Sequence, residues 1–156
     1  GAQFRHYNGA RYFHEQLESL DPDLVIVSLG TNEANSGFQT NTFFRDMDTF
    51  IHDLETHLPH ANILITTPAD ALKARRYPNA AVGEARNLIL DYTMNNGLSC
   101  WDFYEVMGGF KSIQDWHKAG LAQQDRLHLT RRGYELQAEL LYEALMSEYE
   151  RFATLR

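Results

Sequence analysis

Asp125 and His128 stand three residues apart in the run Asp125-Arg126-Leu127-His128-Leu129-Thr130, just ahead of the longest amphipathic segment, Arg131 to Phe152. In a turn held by the helix that follows, the carboxylate can accept the imidazole Nδ1–H and leave Nε2 facing outward as a base. Such a base acts on a weak nucleophile whose proton it removes, and a serine hydroxyl is the common case. The pair therefore predicts a partner elsewhere in the fold. Spacing alone does not decide the matter, because a solvated turn before a helix reads the same way. A second stretch, Val25-Ile26-Val27-Ser28-Leu29-Gly30-Thr31-Asn32-Glu33, is an apolar run that ends abruptly in Gly and then Asn.

These residues need a scaffold, and the chain alternates strand and helix signals throughout. Leu24 to Leu29, Ile63 to Thr67 and Leu98 to Phe103 are continuous apolar runs, as expected of strands buried on both faces of a parallel sheet. Helical periodicity runs over Tyr12 to Leu20, Asn41 to His57, Ala81 to Asn96 and the final segment, where Thr130 is the expected N-cap. Leu136, Leu140, Leu141 and Leu145 are expected to face inward. Gly97 suits the C-cap of the third helix. The order predicts a parallel sheet sandwiched by helices. Gly30-Thr31-Asn32 then lies at the carboxyl end of a strand, where open α/β sheets bind ligands. Glu33 to Gln39 and the segment from Pro68 to Ala80, with Lys73, Arg75 and Arg76, read as loops. Glu105 to Gln124 is the least regular part. Its Met107 and Trp116 have two readings, as the lining of a substrate cleft or as core beneath the Asp125 turn.

The chain has 156 residues and 44% hydrophobic composition, enough for one core and one domain spanning 1–156. A net charge of −7 and a pI near 5.4 argue against nucleic acid or an anionic membrane as partner, and favour a neutral or weakly charged substrate. No apolar run reaches membrane-spanning length. Cys100 is the single cysteine, so neither an intrachain disulfide nor a cysteine metal site is expected. Among the histidines, His52, His57 and His60 lie closest in sequence. A five-residue step puts His52 and His57 on different helix faces and His60 lies beyond Pro59, so no metal is expected.

The two blocks together resemble the SGNH (GDSL-type) hydrolases. In that family a Gly-x-Asn-Asp block follows a central strand and its Asn donates to the oxyanion, while an Asp-x-x-His block near the C-terminus completes the triad. The matching positions here are Gly30, Asn32, Asp125 and His128. Glu33 stands where the family has Asp. The resemblance implies a three-layer α/β/α sandwich with a parallel, flavodoxin-like sheet and no cofactor. The family also uses a backbone N–H of a glycine in its second block, for which Gly1 and Gly9 are the candidates. Its serine sits in a Gly-Asp-Ser block on the first strand. Neither that block nor a Gly-x-Ser-x-Gly elbow occurs here, and Ser36 is the serine nearest the presumed oxyanion side. The chain is therefore expected to be the C-terminal part of an SGNH domain, N-terminally truncated, without the first strand and its serine turn.

The resemblance implies a carboxylic ester hydrolase that removes small acyl groups, acetyl foremost, from carbohydrate or peptidoglycan, with Glu33, Met107 and Trp116 as possible substrate-lining residues. Met107-Gly108-Gly109 ahead of Trp116 is similar to extracytoplasmic bacterial members, which implies a periplasmic or secreted setting. The alternative is a catalytically inactive glycan-binding module that retains the cleft. A parallel sheet without a central strand exposes an unpaired edge, so a homo-oligomer formed through that edge is also expected.

Overall fold

A computed structural model describes residues 1–10 and 12–155 of the chain. Its strands are β1 (Leu24–Val27), β2 (Asn62–Thr66), β3 (Leu72–Lys73), β4 (Tyr77–Pro78) and β5 (Ser99–Trp101). Its helices are α1 (Phe4–Asn8), α2 (Phe13–Leu20), α3 (Thr31–Asn35), α4 (Thr40–His57), α5 (Ala80–Asn96), α6 (Phe103–Val106), α7 (Ser112–Lys118) and α8 (Arg131–Thr154). The three apolar runs form one parallel sheet in the order β1-β2-β5, with Leu24 opposite Asn62 and Leu64 opposite Ser99. Helices cover both faces, and the expected α/β sandwich is observed.

Alternation along the strands separates two cores. Val27, Ile63 and Ile65 point to one face and pack with Phe43, Met47, Phe50, Ile51 and Leu54 of α4 and with Ala85 and Ile89 of α5. Phe4 of α1 joins them, fully buried, its ring 5.6 Å from those of both Phe43 and Phe50. Burying such a ring stabilises by roughly 2–3 kcal/mol, enough to hold a five-residue helix that has little stability of its own. On the other face Leu64 and Trp101 pack with Phe103, Met107, Ile113 and Trp116, and Leu136, Leu140 and Leu141 of α8 close over them.

Four sequence expectations change. Glu33 to Gln39 is not all loop, because Thr31–Asn35 closes a short helix in which the Glu33 carboxylate accepts from the Gly30 N–H. Residues 72–78 form an antiparallel hairpin, with Leu72 opposite Pro78. β1 is not fully covered on both faces: Leu24 and Ile26 at the sheet's edge are 43% and 44% exposed. Leu145 is 38% exposed and is not part of the core that Leu136, Leu140, Leu141 and Ala144 of α8 cover.

Candidate active site

The Asp125 turn is built before α8 begins. Ala122 and Leu129 pair as an antiparallel bridge, the Gln123 N–H donates to His128 O at 2.8 Å, and the Gln123 side chain donates to Leu129 O at 3.0 Å. The Thr130 hydroxyl then caps α8, accepting from the Gly133 N–H at 3.2 Å while donating to Gly120 O at 2.8 Å. Gly133 is required here, because a β-carbon at this position would overlap the Leu121 carbonyl.

Within this frame Asp125 Oδ1 accepts from the N–H groups of Leu127 and His128, each at 3.0 Å, and Oδ2 lies 2.8 Å from His128 Nδ1. Partial burial opposes ionisation of Asp125. The backbone and imidazole of His128 and the backbone of Leu127 outweigh it and hold the carboxyl down at about 2. An ionised carboxylate only accepts, so Nδ1 carries the proton and Nε2 of the neutral ring carries the lone pair. The His128 side chain is 59% exposed against 25% for Asp125, which leaves the ring accessible above an anchored carboxylate.

Asn32 lies on α3 at the carboxyl end of β1. Gly30, at φ +113°, makes the turn between them in a conformation that other residues rarely adopt. Asn32 Nδ2 donates to Ala2 O at 2.8 Å and keeps a second N–H. Gly1 rests on this carboxamide so closely that a β-carbon there would overlap it. Gly9 caps the end of α1 instead. The structure thus brings Asn32 together with Gly1.

A cavity of about 220 Å³ joins the two blocks, lined by Ser28, Asn32, Pro68, Leu127, His128 and Tyr134 among others. Glu33, Met107 and Trp116 are not among its lining residues. Glu33 Oε1 accepts from the Phe4 N–H at 2.8 Å, so its carboxylate ties α1 to the Gly30 turn. Met107 and Trp116 are buried in the second core, and the Trp116 indole N–H donates to Met107 O at 2.9 Å. Ser36 also lies outside the cavity, accepting from the Gln3 side chain and donating to Asn32 O at 2.7 Å. Ser28, which the sequence places inside a strand, instead follows the end of β1, is exposed on the cavity and accepts from the Thr66 hydroxyl at 3.0 Å. Its apolar neighbours gave no sign of this.

Asp70 and Asp102 brace segments next to the cavity, whose lining includes Thr67 and Ala69. Asp70 is 1% exposed and its Oδ2 accepts from the Ile113 N–H at 3.1 Å, joining the segment after β2 to the start of α7. Burial pushes its carboxyl up despite that bond. Asp102 is partly buried, yet the Arg86 guanidinium, bound through both Nε and Nη2, and the Thr67 hydroxyl hold its carboxyl below the usual range. That pair fastens α5 to the end of β5. Among the described residues no group of three or more His, Cys, Asp or Glu side chains is arranged to hold a metal ion.

The chain is similar to a solved structure described as a peptidoglycan O-acetylesterase in action, with 26% identity and a TM-score of 0.86 over 94% of this chain and 43% of that one. A lipase/acylhydrolase from Enterococcus faecalis is similar at 20% identity and a TM-score of 0.72, over 94% of this chain and 72% of its own. A GDSL-like lipase from Bacteroides thetaiotaomicron follows at 18% and 0.69, with the same coverage. The last two likenesses speak to the fold alone. This chain spans less than half the length of the first. No curated protein matches. The model of the GDSL-like Lipase/Acylhydrolase family matches residues 2–136, a span that holds β1 with Asn32 and the Asp125 turn. By that match, and by the parallel sheet that carries both blocks, the chain belongs to the GDSL-like lipase/acylhydrolase family.

Proposed function

We propose that this chain supplies the base and the oxyanion side of an SGNH-type esterase that removes small acyl groups, acetyl foremost, from carbohydrate or peptidoglycan. The observation that carries the reading is the 2.8 Å contact between Asp125 and His128 on the same cavity as Asn32. The neighbouring solved structure described as a peptidoglycan O-acetylesterase supports the choice of substrate. In this reaction a serine oxygen bonds to the ester carbonyl carbon while His128 Nε2 takes its proton. Asn32, through its remaining N–H, and the backbone N–H of Gly1 meet the oxyanion. His128 then returns the proton to the departing sugar oxygen, and water resolves the acyl-enzyme by the same route. Asp125 fixes the tautomer throughout.

In this reading the nucleophile is carried by a strand outside these residues, seated along the free edge of β1. Two features support that placement. Among the described residues β1 pairs with a strand on one side only, and its exposed Leu24 and Ile26 lead directly to Ser28 at the cavity. The second reading, an inactive glycan-binding module of one domain, is favoured by the Asn32 carboxamide already donating to Ala2.

The test is hydrolysis of p-nitrophenyl acetate beside His128→Ala, with intact-mass analysis after a serine-reactive fluorophosphonate. We expect this chain alone to give no adduct and the background rate. Expressed with its upstream coding sequence, it should gain one adduct and an activity that His128→Ala lowers by about 10⁴-fold or more. No adduct in the longer protein would favour the binding module. A single adduct on this chain alone would place the nucleophile here, with Ser28 ahead of Ser36 because it shares the His128 cavity.

A further inference from the structure

The β3–β4 hairpin joins the cavity on two sides. Pro68 and Ala69, just before it in the chain, line the cavity. The Leu72 N–H donates to Arg126 O at 2.9 Å, and Arg126 Nη1 donates back to Arg75 O at 3.3 Å. Arg126 is followed directly by Leu127 and His128, which line the same cavity. The hairpin is therefore docked on the Asp125 turn itself.

Its chemistry differs from that of the rest of the chain. Lys73, Arg75 and Arg76 are exposed on it and Arg126 lies beneath it, four cations in a protein whose net charge is −7. Among the described residues none of the four meets a carboxylate, which is true also of the scattered Arg5, Lys111 and Arg132, whereas Arg45, Arg86, Lys118, Arg131 and Arg151 each do. Arg76 instead lies 5.5 Å from the Tyr77 ring. The backbone is also held in an unfavourable form: Ala74, Arg75 and Arg126 have φ of +51°, +60° and +51°, a region in which a side chain is strained and a glycine is not. Like charge opposes this arrangement, and an anion between the cations would offset the repulsion.

We infer that this hairpin binds the carboxylates of an acylated glycan beside the ester to be cleaved, so that the substrate is an anionic rather than a neutral polymer. The inference rests on the esterase reading for the ester and on the hairpin for the carboxylate. A patch of four cations matches the one or two carboxylates of a short glycan segment. A nucleic acid, with a charge every few ångströms, would extend onto an otherwise acidic surface and be repelled. Net composition hides this feature, because four clustered cations are masked by acids placed elsewhere.

Calorimetric titration of the protein tests it without requiring hydrolysis. The probes are tetragalacturonate, with carboxylates on the sugar ring, and a disaccharide tetrapeptide from peptidoglycan, with carboxylates on the peptide stem. Chitotetraose is the neutral control and a short DNA duplex the polyanion control. We expect one carboxylate probe to bind, the tighter one identifying the source of the charge, and the affinity to fall about tenfold in Lys73→Gln/Arg76→Gln at low salt. Arg151→Gln, on the far end of α8, should leave it unchanged. Equal binding of chitotetraose, binding that the double variant does not weaken, tighter binding of DNA, or no binding of either carboxylate probe would overturn the inference. Hydrolysis of p-nitrophenyl acetate, a small neutral ester, reports on the esterase reading alone.

Discussion

Asp125 and Asp70 are carboxylates on adjoining segments with opposite responses to acid. Asp125 is held at about 2, below the ordinary 3.8, so the stability it confers is present above that ordinary value and is lost as pH falls toward 2. Asp70 is raised by burial, so the native state loses stability as pH rises from the ordinary carboxylate range through the raised value. Asp70→Asn keeps an acceptor for the Ile113 N–H and removes the charge. Its urea midpoint relative to wild type should therefore be higher at about pH 7.5 than at about pH 4, and a flat difference would mean that Asp70 titrates normally. The pairing of Asp125 with His128 and the position of Gly30 and Asn32 at the end of β1 were legible in the sequence, because each depends on neighbours within four residues or on a strand end. Ser28 and Asp70 were not, because their settings depend on which segments pack beside them.

At the scale of elements, α8 and the turn before it depend on Gly133. Replacing a helical glycine with alanine ordinarily gains up to about 1 kcal/mol of helix propensity. Here the added methyl would strike the Leu121 carbonyl, and forcing an extra carbon into packed surroundings costs about 1–3 kcal/mol. The clash wins, so Gly133→Ala should lower stability and shift the Asp125 turn, seen as a fall in thermal midpoint and a moved His128 resonance. A variant at least as stable as wild type would show that the helix can slide. The strands and long helices were readable from period and caps, as with Thr130 before α8 and Gly97 after α5. The hairpin was not, because Ala74 and Arg75 carry no turn signature: their left-handed backbone is imposed by docking on Arg126.

At the scale of the whole molecule, the described residues form a three-stranded parallel sheet whose β1 edge carries exposed Leu24 and Ile26. In solution this edge is expected to pair with a further strand, and where none is supplied, with a second copy. Sedimentation should show a self-associating species that Ile26→Lys converts to monomer, while a monodisperse wild-type monomer would count against the pairing. Under the inference drawn for the β3–β4 hairpin, the neutral substrate expected from net charge gives way to an anionic one, because a total records neither where charges sit nor which are paired.

The two tryptophans, Trp101 and Trp116, both lie in the core beneath α7 and α8, and both rings meet Phe103, at 5.1 and 5.8 Å. Indole emission therefore watches only that side of the sheet. The opposite core, built on α4 and the N-terminal helices, is dark at those wavelengths and visible through the peptide bond. If the halves melt together, emission and far-ultraviolet dichroism will trace one curve. If the free edge lets one core loosen first, the two colours of light will separate, and their order will name the weaker side.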